Sequence, residues 1–215
     1  MTAANEFTRA YQVLKDSLGD YQLPPGRQIP VRVIADKLGI GVTPVKKACS
    51  RLTSEGWAIP GADTAYFAWC PEESAIAGLY DWNRAIVLSA LDRAAEDHGK
   101  ADATIARLSR KLVRHGLSDT TLAAYTGALF FAVVERTGRK DILQLVRAAN
   151  ERMHYLRVLE CQRFDDVAGE LRSICKQLLV DYTVANREKL REAIVTYHDK
   201  RRNLVPELNG MLAEQ

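Results

Sequence analysis

No run of this chain approaches the about 18 consecutive apolar residues that a membrane-crossing helix requires. The opening MTAANEFTRAYQ also lacks the basic start and apolar stretch of a secretory signal, so the expectation is a cytoplasmic chain without a membrane partner. Cysteine is sparse and scattered. Cys49, Cys70, Cys161 and Cys175 form no Cys-x-x-Cys pair and have no histidine at zinc-finger spacing, which speaks against a disulfide framework or zinc finger and for reduced, mostly buried thiols. Catalytic signatures are missing as well: there is no Gly-rich phosphate loop, nucleophile elbow, His-Glu-x-x-His helix, or Ser or Cys beside a recognisable base. Asp165 and Asp166 read as ordinary first-turn carboxylates at a helix N-terminus. The expectation is that the protein is not an enzyme.

What is present is ordinary globular composition: 215 residues, 47% hydrophobic and 27% charged, enough for one large or two modest cores. The net charge of +3 permits nucleic acid without demanding it, so the placement of the cations decides. Texture changes near residue 70. Before it, short elements are broken by LPPGRQIP and GWAIPGAD; after Pro71, no proline interrupts long helical patterns until Pro206. The division is residues 1 to 70 as a small α/β domain and residues 71 to 215 as an all-helical one.

In the first domain, Phe7, Ala10, Tyr11, Leu14 and Leu18 recur at steps of three and four, which predicts a helix over 5 to 19. Ile34, Ala35 and Leu38 predict a second over 31 to 38. After the turn GIGV, Val45, Ala48, Cys49 and Leu52 form the buried stripe of a third, with Thr43 as cap and Pro44 in its first turn. AIPGADTAYFAW then offers two short strands around PGAD. Three helices and a hairpin, with a tight turn between helices two and three, describe a winged helix-turn-helix. Its third helix would enter a major groove, presenting Thr43, Lys46, Lys47, Ser50 and Arg51 off the apolar stripe. On charge pattern alone, a merely solvated face explains those cations equally well.

The run LPPGRQIPVRVIADKLGIGVTPVKKACSRLTSEGW resembles the DNA-binding domain of the GntR family of bacterial transcription regulators, through Pro25-Gly26, Leu38-Gly39, Thr43-Pro44-Val45, Arg51-Leu52 and Glu55-Gly56. The resemblance covers about residues 7 to 70. It implies contacts to double-stranded DNA from Arg32 on helix two, from Thr43 and Lys46 on helix three, and from the wing, with Lys47, Arg27 and Arg51 adding charge. Two departures stand out. Gly41-Val42 replaces the family's Ser-Arg, and Lys46 replaces an arginine, exchanging a planar fork for a point charge. The wing PGADTAYF is short of cations. These changes imply DNA binding that is weaker than, or differently specified from, the family's usual.

Helical periodicity in the second domain runs over 72 to 97, 102 to 115, 119 to 137, 139 to 160, 164 to 183 and 186 to 204. Ser118 and Asp119 serve as caps and Gly99, Gly116 and Gly138 as stops. Six or seven antiparallel helices form a bundle, so the fold class is mainly α. The pattern is similar to the FCD effector domain of the FadR-like branch, many of whose members hold a divalent metal and a carboxylate effector. Here the metal-ligand positions fall on Thr126, Phe130 and Leu171, leaving only His198, and Asn83 and Val87 stand where the family has arginine and glutamate. The expectation is therefore no metal and no cofactor. Thr126, Phe130, Leu171 and His198 either line an apolar pocket for a hydrophobic or acyl effector or simply fill the core, and His198 alone reads as a core histidine with one hydrogen bond. His98, His115 and His154 carry no pattern.

The resemblance thus implies a homodimeric regulator, commonly a repressor, on a pseudo-palindromic operator and modulated by a small molecule. The alternative is a bundle that only dimerises or meets another protein.

Overall fold

The computed structural model describes residues 3–20, 22–92, 99–179 and 184–214. The chain divides into two compact units, Met1–Glu72 with Leu212–Gln215, and Glu73–Met211.

The first unit carries helices α1 (Ala3–Gly19), α2 (Val31–Leu38) and α3 (Val42–Ser54), then strands β1 (Ala58–Pro60) and β2 (Tyr66–Ala68). The strands are antiparallel, with Ile59 opposite Phe67, and a single 3-10 turn (Ala62–Thr64) forms the tip between them. The chain before α2 adds to this hairpin: Ile29 N–H donates to the Tyr66 carbonyl and Ala68 N–H to that of Arg27, both at 2.8 Å. Ala10, Leu14 and Leu18 from α1 meet Val45, Ala48, Cys49 and Leu52 from α3 in one buried cluster. That is the apolar stripe expected from the sequence. Gly39 ends α2 with φ +63°, the left-handed conformation that lets the chain turn at once into α3 and that glycine adopts without a Cβ clash.

The second unit is built from α4 (Glu73–Leu91), α5 (Gly99–Lys111), α6 (Asp119–Glu135), α7 (Lys140–Cys161), α8 (Val167–Leu179), α9 (Val184–Asn203) and, as far as Met211, α10 (Val205–Ala213). Its core joins Ile86, Val87 and Ala90 of α4, Leu129, Phe130 and Val133 of α6, Leu171 and Ile174 of α8, and Ile194 and Tyr197 of α9. With the winged helix-turn-helix and its small sheet, the architecture is mainly helical, as expected.

Several local expectations need correction. Thr43 does not cap α3: the N-cap is Gly41, whose ψ of 160° starts the helix two residues earlier and leaves Thr43 exposed in the first turn. Gly99 opens α5 instead of stopping a helix, and α5 ends at Lys111, short of 115. Asp165 and Asp166 precede α8, and Asp166 Oδ1 accepts from Gly169 N–H at 2.7 Å, a capping bond. Pro206 breaks nothing, because it occupies the first turn of α10, where a missing N–H costs no helical bond. Ser118 does cap α6, accepting from Thr121 N–H at 3.3 Å. Residues 93 to 97 of the first expected bundle helix, and His98, lie outside the described residues.

Candidate nucleic-acid interface and buried polar core

A concavity of about 770 Å³ opens on the first unit between the starts of α2 and α3 and the wing. Pro30, Val31, Arg32 and Val33 border it from α2, Val42 and Lys46 from α3, and Ala62 to Ala65 from the wing tip. Neither Pro30 nor Gly41, the two N-caps, supplies a side-chain capping bond. Val31 N–H donates to the Ile29 carbonyl at 2.9 Å, but neither helix start has a side-chain cap, so both turn the positive end of their dipoles to this concavity, an arrangement suited to phosphate.

Arg32 and Lys46 both line this surface. Lys46 Nζ donates to Thr64 Oγ1 at 2.8 Å, joining the third helix to the wing. Asp63 and Thr64 hold φ of 53° and 61°, the left-handed region uncommon for residues with a Cβ. The wing tip thus offers an exposed carboxylate where the sequence had already shown few cations. Thr43, Lys47 and Arg27 are exposed and outside the concavity's lining. Arg51 sits at the far end of α3, with Nε donating to Glu55 Oε1 at 2.6 Å, and Tyr11 OH donates to the other Glu55 oxygen at 2.7 Å. Burial raises the Glu55 carboxyl, but the bonds from Tyr11 and Arg51 and the nearby charges outweigh it, leaving it below its usual range. The concavity thus gathers Arg32 and Lys46 of the six expected contact residues, while Arg51 carries a local structural bond.

In the second unit the four expected pocket residues are all solvent-excluded. Phe130 and His198 pack with ring centroids 5.2 Å apart, and Leu171 belongs to the same core. Thr126, one turn before Phe130, donates its hydroxyl to the Leu122 carbonyl at 2.9 Å within its own helix. A cleft of about 400 Å³ between α8 and α9 is lined by their chain neighbours Glu170 and Tyr197, together with Ser173, Ile174, Lys189, Thr196 and Lys200.

His198 makes two contacts where the sequence predicted one. Burial, then the charges of Arg157, Arg201 and Arg84, lower its pKa to about 3 against the raising effect of its backbone bond, so the ring is neutral. Nδ1 lies 2.7 Å from the Ile194 carbonyl, which can only accept, so Nδ1 carries the proton. Nε2, 3.0 Å from the Asn83 amide, is then an acceptor, and Asn83 must turn its NH₂ towards it. This orientation also gives a partner to Asn83 Nδ2, otherwise buried without one. The Ile194 carbonyl thus fixes the histidine's tautomer, and the Asn83 amide orients to match it.

Sequence reading missed a charged network deeper in the bundle. Arg201 donates through Nε to Glu160 Oε2 at 2.9 Å and through an Nη to Glu170 Oε2 at 2.7 Å; Tyr80 OH donates to the other Glu160 oxygen. Lys200 reaches Glu170 Oε1 at 2.7 Å. The Arg201 guanidinium lies 3.6 Å from the Tyr197 ring centroid. Burial raises the Glu170 carboxyl, but Lys200 and Arg201 outweigh it and hold it below its usual range. Such pairs join α4, α7, α8 and α9 across 30 to 80 positions, which no local pattern reveals. Among the described residues, no group of three or more His, Cys, Asp or Glu could hold a metal, and no helix is long and apolar enough to cross a membrane.

Residues 7–60 match the sequence profile of bacterial regulatory proteins of the gntR family. Over 146 residues, 66% of this chain and 69% of the relative, the chain is 27% identical to the Nta operon transcriptional regulator of Aminobacter aminovorans. A structure described as a GntR transcriptional regulator from Rhodococcus sp. RHA1 superposes with a TM-score of 0.76 at 17% identity, covering 94% of this chain and 98% of that one. E. coli McbR/YncC gives 0.64 at 16% identity over 94% and 97%.

Proposed function

We propose that this chain, whose residues 7–60 match the gntR-family profile, is a DNA-binding transcription regulator that works as a homodimeric repressor of the FadR-like branch. Each protomer sets the start of α3 into a major groove of a pseudo-palindromic operator, the two half-sites lying about one helical turn apart. Arg32 and Lys46 hold phosphates beside the uncapped helix starts, Thr43 reaches base edges, and Lys47, Arg27 and Arg51 add electrostatic attraction. The observation carrying this reading is the meeting of Arg32, Lys46 and the wing tip on one concave surface.

The second unit, as an FCD-like module, binds a small effector that prefers one arrangement of the dimer's DNA-binding heads. Only such differential affinity can release or strengthen DNA binding. A second reading, in which the bundle only dimerises or meets another protein, draws on the close packing of Phe130, Leu171 and His198. Duplexes selected from a random-sequence pool by the full-length protein test the DNA reading: enrichment of a two-fold motif supports it, and a pool without enrichment contradicts it. Adding small acids to the selected complex separates the two readings of the bundle, since the dimerisation-only protein holds its duplex unchanged.

A further inference from the structure

Among the described residues, four large aliphatic side chains of the first unit stand exposed: Val13, Val33, Val42 and Ile59. Scattered singly on a surface, such residues are ordinary. Two of them are not scattered. Val33, 50% exposed, lies in the first turn of α2, and Val42, 36% exposed, is the first residue of α3. Both border the concavity that Arg32 and Lys46 line, whereas Val13 and Ile59 lie outside that lining.

Where a helix of this kind enters a major groove, the residues at its N-terminal end are the ones that reach base edges. The polar residues near that end of α3 are placed elsewhere. Lys46, one turn after Val42 and on the same face, is drawn to the wing by its 2.8 Å bond to Thr64 Oγ1. Thr43 and Lys47 are exposed outside the concavity's lining. At its leading end α3 therefore turns into this space an isopropyl group, which has neither donor nor acceptor. Opposite guanine, cytosine or adenine, that group would cover polar base-edge atoms without replacing the water bonded to them, an uncompensated loss. Thymine alone offers a methyl group in the major groove, and setting a valine against it removes two apolar surfaces from water at once.

We propose that Val42 reads a thymine methyl in each half-site of the operator, so that the pair opposite the start of α3 is T·A, specified by apolar contact. Val33, on the helix that crosses the backbone, packs against the neighbouring deoxyribose and carries no sequence information. Arg32 and Lys46 supply the phosphate attraction that presses this apolar edge to the groove. Losing one methyl from such a contact weakens binding about four-fold, so a dimer that covers one in each half-site loses about fifteen-fold. The inference rests on the DNA reading above and names the base that α3 recognises.

The test uses the full-length protein and the duplex it enriches from a random-sequence pool, compared with the same duplex carrying deoxyuridine in place of every thymidine. The replacement removes the methyl groups and leaves each Watson–Crick pair and each hydrogen-bonding group unchanged. The wild type should bind the thymine duplex about fifteen-fold more tightly, and thymine restored at one symmetric pair of positions should recover the difference. Val42→Ala should bind both duplexes equally, near the wild-type affinity for the uracil duplex; alanine at an exposed helix position favours the helix, so the fold is kept. Equal binding of the two duplexes by the wild type, or a thymine preference that survives in Val42→Ala, overturns the proposal and leaves the DNA reading standing. A pool without any enriched duplex defeats the DNA reading and this proposal with it. A dimer that dissociates in Val42→Ala while its thymine preference persists would assign the valine to a contact between protein copies and overturn the proposal as well.

Discussion

Arg201 and Glu160 form an ion pair of 2.9 Å with both side chains essentially removed from water, the arginine from α9 and the glutamate from α7. Burying two charges is expensive, and the pair persists because Tyr80, Glu170 and the Tyr197 ring satisfy what remains. Removing one partner strands the other. Glu160→Gln should cost roughly 3 to 5 kcal/mol in urea unfolding, while the double variant Glu160→Gln with Arg201→Met should cost less than the sum of the two singles. Additive losses would show that the pair is not coupled.

His198 makes stability depend on pH. The folded ring's pKa is lowered to about 3, burial being the largest cause, whereas an unfolded histidine titrates near 6.5. Between those values the unfolded chain binds a proton that the folded chain refuses, so stability falls as pH drops from about 6.5 towards 3, at ~1.4 kcal/mol per unit. Urea midpoints at pH 7 and 5.5 should fall further for the wild type than for His198→Gln, and equal falls would contradict a buried neutral ring.

The cysteines divide by environment. Burial pushes Cys49 and Cys175 up to about 11 and Cys161, with help from Glu160 and Asp119, to about 12, while Cys70 is exposed. Native alkylation at neutral pH should therefore modify one thiol, Cys70, quickly and the other three only on unfolding. Rapid labelling of two or more would contradict this packing.

Gly39 should be worth more than its empty surroundings suggest. A Cβ there meets nothing within 4 Å, so Gly39→Ala isolates the cost of φ +63°, about 1 kcal/mol in thermal or urea unfolding. A neutral substitution would mean that the α2 to α3 turn relaxes freely.

Much of this architecture is written locally. The period of Ile34, Ala35 and Leu38 ahead of Gly39 yields α2 with its observed bounds, and the alternation around PGAD yields the wing, because both depend on neighbours within one turn or hairpin. Caps were harder: Thr43 looks like one, but Gly41 starts α3 through backbone conformation alone. Tertiary polar chemistry was invisible. Asn83 read as the loss of a family arginine, yet it partners a histidine 115 positions away. Arg32 and Lys46, which line one concavity, were singled out together only through resemblance.

The most direct test of the account is the salt dependence of affinity for the selected duplex, compared for wild type, Arg32→Ala and Lys46→Ala. Each lost phosphate contact should weaken binding and flatten the slope of log K against log salt by about 0.9. Variants that keep both the affinity and the slope of the wild type would place the DNA on another face and contradict the docking of α3 and the wing.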